Sequence, residues 1–244
     1  MQAATARIVL ITGANKGIGF EIARQLGRNG AEALIGARSV ALGEAAVGEL
    51  KAQGISARFL RLEVRDPDTI LAAASQIEAD YGRLDVLVNN AGVSDRADGP
   101  PSRTSVDAVR RIFETNVFGA LAVAQTMLPL LKKSASGRIV NVSSGLGSLA
   151  RNSDPAWEFA AVKLFGYNAS KAALNMLTVQ LAAELKDSGV KVNSVDPGFT
   201  ATDLNAHRGR QTVAEGAAAA IRFALLPDDG PSGGFFSAGG REPW

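Results

Sequence analysis

Short apolar runs alternate along the chain with longer segments in which apolar residues recur every three or four positions. The short runs have the length of buried strands, whereas the longer periodicity is typical of helices. The predicted strands cover residues 8–11, 33–35, 58–62, 86–88, 139–142, 190–195 and 235–237. The predicted helices cover residues 17–29, 40–53, 67–81, 105–133, 158–186 and 212–226. This alternation predicts an α/β fold, a doubly wound parallel sheet of about seven strands with helices on both faces.

Two details concern the packing of the predicted helices. Leucines 174, 177, 181 and 185 recur at helical spacing, so they predict a stripe that faces the core. Pro129 has no backbone N–H, so we expect the fourth helix to kink or end near it. No stretch has the composition of a linker and no repeat recurs at a fixed period, so residues 1–244 are expected to form one domain.

The composition narrows the range of functions. The chain has 26 basic and 24 acidic residues, spread out rather than in blocks, which gives no indication of nucleic-acid binding. It contains no Cys and a single His, His207, which argues against disulfides and against a metal centre. The apolar run at residues 8–11 is too short for a secretion signal or a membrane span. We therefore expect a cytoplasmic protein with no membrane partner.

The residues with the most chemical character come directly after predicted strands. These segments are residues 12–19, 37–38, 89–92, 143–144 and 196–198. In a doubly wound sheet, ligands bind at the carboxyl ends of the strands, beside the point where the strand order reverses. The five segments are therefore expected to meet at one binding edge.

The first of these segments is rich in glycine. Gly13, Gly17 and Gly19 suit a tight turn against a helix N-terminus, where free N–H groups and the helix dipole favour a pyrophosphate. The spacing differs from the G-x-G-x-x-G fingerprint, and a glycine turn without a ligand stays an alternative interpretation.

The segment after the second strand bears on the choice of cofactor. An acid at this place would accept hydrogen bonds from the ribose hydroxyls of NAD(H), but the chain has Arg38 and no carboxylate. Arg38 and Lys16 can instead neutralise a 2′-phosphate. The sequence therefore favours NADPH/NADP⁺ over NADH, with ordinary surface charges as the alternative interpretation of both cations.

Tyr167 and Lys171 are four residues apart, which places them on the same face of a helix. A tyrosine alone is a weak proton donor near neutrality, since its ordinary pKa is about 10. A neighbouring cation is expected to lower the pKa of Tyr167 and bring it nearer to the range of general acid catalysis. The pair suits protonation of an alkoxide.

Jointly, these motifs resemble the short-chain dehydrogenase/reductase family, and the resemblance covers nearly the whole chain. It rests on the turn at residues 12–19, residues 89–92, Asn116, Ser144, Tyr167, Lys171 and the pair Pro197-Gly198, all in the family's order. Several stretches, among them residues 15–19, 36–38, 84–88 and 225–227, are most like the NADPH-dependent carbonyl reductases. The resemblance implies a single Rossmann-type domain, with a cofactor half at about residues 1–150 and an active-site and substrate half at about residues 151–244.

The resemblance implies four catalytic residues. Tyr167 is implied to be the proton donor in reduction, and Lys171 to bind the nicotinamide ribose while lowering the pKa of Tyr167. Ser144, rather than its neighbour Ser143, is implied to hydrogen-bond the carbonyl oxygen of the substrate. Asn116 is implied to hold a water in a proton relay through Lys171, although it could instead satisfy backbone groups in a bent helix.

The resemblance also implies a set of cofactor-binding residues. Glu63 stands where the family usually has an aspartate against the adenine. The full set is Gly13, Asn15, Lys16, Gly17, Ile18, Gly19, Arg38, Leu62, Glu63, Val64, Asn90, Ala91, Gly92, Tyr167, Lys171, Pro197, Gly198, Phe199, Thr200 and Thr202.

Ser144 and Tyr167 are separated by more residues than is common in the family, which indicates an insertion before the active-site helix. Monomeric carbonyl reductases have a much longer insertion there, which obstructs the helix face through which most family members form tetramers. A homodimer, a homotetramer and a monomer therefore all stay open for this chain. Trp157 and Phe159 in the insertion are interpreted as packing residues rather than a platform for substrate. The segment that follows Pro197-Gly198, up to Gln211, is expected to be a solvated charged loop, with a small mobile lid over the substrate as the alternative interpretation.

Together, these features predict an NADPH-dependent oxidoreductase that reduces a ketone or aldehyde to an alcohol, reversibly, with a small carbonyl compound as its substrate. Two alternatives stay open. One is a 3-oxoacyl thioester reductase, which would need a basic docking patch that the sequence does not show. The other is a regulatory protein that binds NADPH without turning over a substrate.

Overall fold

The computed structural model describes residues 6–244; residues 1–5, the start of the expected single domain, lie outside the described residues. Within that range the strands are β1 Ile8–Thr12, β2 Glu32–Ala37, β3 Ala57–Arg61, β4 Val86–Asn89, β5 Arg138–Val142, β6 Lys191–Val195, β7 Phe235–Ser237 and β8 Gly240–Arg241. The α-helices are α1 Gly17–Arg28, α2 Val40–Ala52, α3 Pro67–Tyr81, α4 Val106–Phe113, α5 Ala120–Leu131, α6 Leu149–Ser153, α7 Phe165–Glu184 and α8 Val213–Ala224.

The strands form one sheet in the order β3-β2-β1-β4-β5-β6-β7-β8. Strands β1 to β7 pair in parallel, and β8 pairs with β7 in the antiparallel direction. The doubly wound α/β fold predicted from the sequence is therefore confirmed, with one additional short strand. The strand order reverses between β1 and β4, which places the expected binding crevice at the carboxyl ends of these strands.

The sheet separates two apolar cores. Along β1, Val9 and Ile11 face the core that contains α1, α2 and α8, whereas Ile8 and Leu10 face the core that contains α3, α5 and α7. Successive residues of a strand point to opposite faces, so a strand buried on both sides is apolar at every position. The predicted leucine stripe is observed on α7, where Leu181 and its neighbours in the stripe pack toward the second core.

Several helices begin at residues whose side chains satisfy free backbone N–H groups. The Ser39 hydroxyl accepts from Leu42 N at the start of α2, and the Asp66 carboxylate accepts from Asp68 N at the start of α3. Thr212 and Glu215 form a reciprocal capping box at the start of α8. Such caps explain why these helix starts follow closely from the sequence.

The predicted fourth helix, residues 105–133, differs from the observed structure. A π-helical turn, Glu114–Gly119, lies between α4 and α5. A Cβ on Gly119 would lie 2.9 Å from the Val64 carbonyl oxygen, so the helix passes very close to the segment after β3 at this point. Pro129 lies inside α5, which ends two residues later at Leu131.

The predicted start of the fifth helix, residue 158, is wrong. Helix α7 begins at Phe165, and the preceding insertion forms the short helix α6 followed by turns. In these turns Trp157 and Phe159 pack edge to face, with ring centroids 5.6 Å apart.

Among residues 6–244, no helix is long and apolar enough to cross a bilayer.

Candidate active site

The glycine turn, residues 12–19, has the backbone conformation expected for close approach to an anion. Gly13 and Gly17 have φ angles of 64° and 60°, in the left-handed region that favours glycine. Lys16 is the N-cap of α1, yet its side chain makes no capping bond, and no acidic residue lies in the first helical turn. The N-terminal N–H groups of α1 are therefore free of side-chain capping partners and available to an anion.

Asn90 holds the glycine turn against the end of β4. Its side-chain Nδ2 donates to the Thr12 carbonyl oxygen at 2.8 Å, and its backbone N donates to the Thr12 hydroxyl at 3.0 Å. Ala91 N donates to the same hydroxyl at 3.0 Å. A Cβ on Gly19 would collide with Asn90 Nδ2, so glycine is required where α1 passes this side chain. The structure thus brings together predicted residues of the two loops that follow β1 and β4.

The two predicted cations have different surroundings. Arg38 follows β2 and is exposed. Lys16 Nζ lies 2.5 Å from Asp203 Oδ2, and both side chains are more than half exposed. The second carboxylate oxygen of Asp203 lies 2.7 Å from His207 Nε2. Lys16 is therefore paired across the crevice with the loop that follows β6.

The segment after β3 contains Leu62, Glu63 and Val64, three residues that were predicted to bind the cofactor. The side chains of Leu62 and Val64 are buried in the second core. The Glu63 carboxylate lies 3.4 Å from Arg65 Nε, so it is paired with its neighbour in the chain. The predicted contact of Glu63 with an adenine stays a prediction.

The structure brings together the four residues predicted to be catalytic, Asn116, Ser144, Tyr167 and Lys171, and they are called the catalytic cluster. Tyr167 and Lys171 lie on α7, whose N-cap, Leu164, offers no side-chain acceptor. Asp98 takes that role from the loop after β4, because its two carboxylate oxygens accept from Gly166 N at 2.8 Å and Tyr167 N at 2.9 Å. Asp98 was not predicted as part of the site, because it lies far along the chain from Gly166 and Tyr167.

Lys171 is buried, with 4% of its surface exposed. Its Nζ donates to the Val142 carbonyl oxygen at 2.8 Å and lies 5.7 Å from the centroid of the Tyr167 ring. Burial lowers the pKa of Lys171 to about 8.

The expected lowering of the pKa of Tyr167 is not observed. Burial, together with the charge of Asp196, raises the pKa of Tyr167 to about 12, while a hydrogen bond with Ser144 acts in the opposite direction. The expectation neglected the cost of placing a phenolate in a partly apolar site, and the sequence pattern did not indicate that an acid would lie nearby.

Asn116 lies in the π-helical turn, with 1% of its surface exposed. Its Oδ1 accepts from Val93 N at 2.8 Å, and its Nδ2 donates to the Val93 carbonyl oxygen and the Ser170 hydroxyl, both at 3.0 Å. A Cβ on Gly92 would lie 3.5 Å from Lys171 Nζ and 3.6 Å from Asn116 Oδ1. Glycine therefore leaves a small space between these two polar groups.

The two serines after β5 have distinct surroundings. Ser143 is buried, and its hydroxyl donates to the Lys171 carbonyl oxygen at 3.4 Å. Ser144 is partly exposed, and its hydroxyl accepts from Leu146 N at 3.2 Å as well as contacting the Tyr167 phenol. Ser144 is therefore the one of the two whose side chain faces the tyrosine.

The loop from Pro197 to Gln211 is folded rather than extended. Thr200 and Gln211 form a β-bridge, and Asp203–Asn205 form a turn of 3₁₀ helix. The Phe199 ring packs on Phe159 of the insertion with centroids 5.7 Å apart. Gly198 has a φ of 70°, as the turn after Pro197 requires. The contact between Phe159 and Phe199 thus joins this loop to the insertion, and a lid over the substrate stays a prediction.

The described part of the chain, residues 6–244, contains no group of three or more acidic, His or Cys side chains that could hold a metal ion. A doubly wound sheet with a glycine turn and a Tyr–Lys–Ser cluster at its switch point is the architecture of a nucleotide-dependent oxidoreductase. The chain belongs to the short chain dehydrogenase family, whose family model matches residues 7–212.

Individual relatives agree with this assignment. The chain is 38% identical to short-chain dehydrogenase anuI of Penicillium roqueforti, over 92% of this chain and 90% of that protein. It is 36% identical to mouse carbonyl reductase [NADPH] 3, over 92% of each chain. Among solved structures, the NADPH-bound carbonyl reductase from chicken fatty liver superposes with a TM-score of 0.86 at 28% identity, over 99% of this chain and 100% of the other.

Proposed function

We propose that this protein is an NADPH-dependent reductase that converts a ketone or aldehyde into an alcohol and runs reversibly with NADP⁺. Two of the relatives support the choice of cofactor, because the mouse protein is named for NADPH and the chicken structure contains it. The observation that carries the proposal is the catalytic cluster, in which the Ser144 hydroxyl contacts the Tyr167 phenol and Lys171 lies beside the same ring.

The residues at the crevice fit the cofactor. The free N–H groups at the start of α1, which the left-handed glycines leave accessible, would hold the pyrophosphate. Arg38 would neutralise the 2′-phosphate, together with Lys16 once that side chain leaves its ion pair with Asp203. In this assignment Leu62 and Val64 contribute backbone groups, since their side chains are buried. The remaining cofactor contacts are those proposed from the sequence, with Asn90 acting chiefly to hold the glycine turn.

When bound, NADPH supplies the hydride. Tyr167 donates its proton to the carbonyl oxygen, and its raised pKa keeps the phenol protonated at neutral pH. The Ser144 hydroxyl hydrogen-bonds the same oxygen and stabilises the negative charge that develops on it. The protein thus positions the substrate and donates a proton to its carbonyl oxygen.

Lys171 and Asn116 support this step from the buried side. Lys171 lies beside Gly92, where its ammonium can reach the ribose hydroxyls, and its positive charge favours the phenolate that Tyr167 leaves behind. Asn116 fixes the backbone of Val93 in the loop after β4. The space beside Gly92 is where a relay water between Asn116 and Lys171 is proposed to bind.

The test is the loss of NADPH absorbance in the presence of a panel of carbonyl compounds, with NADH in parallel. The panel contains quinones, diketones, aryl ketones, aldehydes, cyclic terpenoid and steroid ketones and a 3-oxoacyl thioester. We expect turnover of at least one carbonyl class, faster with NADPH than with NADH. Tight NADPH binding without turnover of any member would contradict the reductase and favour the NADPH-sensing alternative.

A further inference from the structure

Arg151 and Glu242 form a largely buried ion pair that none of the proposed roles involves. Arg151 lies on α6, shortly after Ser144 in the chain, and Glu242 lies in the C-terminal segment beyond β8. The Arg151 guanidinium donates to the Glu242 carboxylate, and their side chains are 28% and 9% exposed. An ionised carboxylate that is removed from water needs such a partner, so the contact holds both side chains in place.

The same guanidinium lies against Gly145, the residue next to Ser144. A Cβ on Gly145 would lie 3.3 Å from Arg151 Nη1 and 3.4 Å from Trp157 Cζ2. It would also lie 2.9 Å from Asp196 Oδ2, so side chains from three separate segments enclose the backbone at this point. The Arg151 Cζ atom lies 5.7 Å from the centroid of the Trp157 ring, within the range of a cation–π interaction.

Helix α6 and the Ser144 hydroxyl belong to one short hydrogen-bonded unit. Ser144 is the N-cap of the 3₁₀ turn Gly145–Gly147, where its hydroxyl accepts from Leu146 N. Asn152 of α6 donates through Nδ2 to the Leu146 carbonyl oxygen at 2.8 Å. A shift of α6 is therefore expected to move this turn, and with it the hydroxyl that contacts the Tyr167 phenol.

The C-terminal segment is itself fixed, so it can serve as the anchor for α6. Glu242 N donates to the Phe235 carbonyl oxygen at 2.8 Å, and the Trp244 ring stacks on the Phe235 ring with centroids 5.6 Å apart. Ala150 N of α6 donates to the Trp244 backbone oxygen at 2.9 Å. The segment thus connects α6 to β7 of the sheet.

We propose that Arg151, held by Glu242, is a positioning residue of the reductase, which fixes the Ser144 hydroxyl for its hydrogen bond to the substrate carbonyl. The inference rests on the proposed function and adds to it a role for the C-terminal segment. Arg151 acts in this role through the turn after Ser144 rather than on the reacting atoms. Because Ser144 stabilises charge that develops during the reaction, its displacement should lower kcat more than it raises KM.

The test compares Arg151→Met in the wild type with the same change in a Ser144→Ala background. In the wild type we expect kcat for carbonyl reduction to fall by about 10- to 100-fold, because a displaced catalytic group loses its alignment. In the Ser144→Ala background it should fall by no more than about twofold, since the hydroxyl that Arg151 positions is already absent. NADPH affinity should stay unchanged. An equal fall in kcat in both backgrounds would overturn the inference.

Arg24→Met is the matched control, because Arg24 pairs with Glu21 and these side chains are exposed to a similar degree, 23% and 6%. The pair lies on α1, which packs on the opposite face of the sheet from α7. The control should lose stability in urea denaturation and keep its kcat. A fall in kcat of the same size in Arg24→Met would overturn the inference, since lost stability would then explain both results. If Arg151→Met does not fold, Glu242→Gln replaces it in both backgrounds.

A second measurement does not depend on turnover. The chain has two tryptophans, so in a Trp244→Phe background the fluorescence comes from Trp157 alone. We expect Arg151→Met and Glu242→Gln both to make Trp157 more accessible to quenching by acrylamide, because the guanidinium no longer covers the ring. Unchanged quenching in Glu242→Gln would overturn the role of Glu242 in holding Arg151. Absence of any turnover by the wild type would refute the proposed function, while the quenching would still decide whether Glu242 holds Arg151.

Discussion

The glycine turn and the catalytic cluster lie at the same edge of the sheet but depend on different interactions. The glycine turn is shaped first by local backbone conformation, with positive φ angles at Gly13 and Gly17, and Asn90 then fixes it against the end of β4. The catalytic cluster is held by contacts between distant segments, such as the bond from Lys171 to Val142. Changes in the glycine turn should therefore alter cofactor affinity, and changes in the cluster should alter turnover.

The largest effect is expected from Tyr167→Phe, which removes the proton donor and keeps the ring. Turnover with NADPH should fall by about 100- to 10,000-fold, because that is the usual contribution of a general acid. The dissociation constant of NADPH, measured by fluorescence titration, should stay close to that of the wild type. Tyr81→Phe is the matched control and should keep full turnover. Wild-type turnover by Tyr167→Phe would contradict the role of this residue.

The glycine turn can be broken by Gly19→Ala. The new Cβ would collide with Asn90 Nδ2 and lie 2.9 Å from the Gly13 carbonyl oxygen. We expect the free energy of unfolding to fall by about 1–3 kcal/mol and NADPH binding to weaken. Gly48→Ala in α2 is the control, since nothing lies within 4 Å of its new Cβ. That control should gain about 0.5–1 kcal/mol of stability in urea denaturation. Equal stability of both variants would contradict the steric argument.

Arg38→Asp tests the selectivity of the cofactor edge. The change removes a charge-assisted bond to the 2′-phosphate, so NADPH affinity should fall by about ten- to a hundredfold. NADH affinity should change little. The control Arg28→Asp makes the same charge change at the opposite end of α1 and should affect neither cofactor. Equal losses for NADPH and NADH in Arg38→Asp would remove the argument for a phosphate contact.

The pH dependence of NADPH affinity should reveal the contribution of Lys171, the buried cation of the catalytic cluster. The pKa of Lys171 is about 8 in the cofactor-free protein, below its ordinary value of 10.5, so the ammonium loses its proton as the pH rises through that value. Because the charged form favours an anionic cofactor, the dissociation constant of NADPH should rise by about two- to tenfold across this range. Lys171→Met should show no such step, and a step of the same size in that variant would assign it to another group.

The smallest effect is expected from Asp203→Asn, which releases Lys16 from its ion pair. NADPH should bind a few-fold more tightly, since Lys16 no longer has a competing carboxylate, and NADH should bind as before. His207→Gln leaves the Lys16 pair in place and should bind both cofactors like the wild type. Weaker NADPH binding by Asp203→Asn would mean that the pair organises the crevice instead of competing for the phosphate.

Most of the sheet could be predicted from the sequence because strands buried on both faces are continuous apolar runs. The β7 strand was predicted with the observed bounds. For the other six predicted strands, each observed end lies within two residues of the predicted end. The two-residue strand β8 was not predicted. It pairs with β7 across a tight turn and is too short to show an alternating apolar pattern.

The interruptions of the helices could not be predicted in this way. Residues 114–119 are mostly weak helix formers, but such a composition does not indicate a π-helical turn, which lies where Gly119 passes the Val64 backbone. The start of α7 is likewise fixed from outside, by the Asp98 carboxylate. The pKa of Tyr167 is raised rather than lowered for a similar reason. Its burial and the effect of the Asp196 charge both result from tertiary packing, which local sequence does not show. Local motifs identified which residues converge, and distant contacts determined their electrostatics.

The central claim is that this crevice directs a hydride from NADPH to a carbonyl carbon while Tyr167 protonates the oxygen. The most direct measurement uses NADPH deuterated at the transferable position, with the product analysed by mass spectrometry. The account predicts one deuterium on the alcohol carbon with wild-type protein, and almost none with Tyr167→Phe in the same time. Tight NADPH binding without a labelled alcohol from any carbonyl in the panel would contradict it.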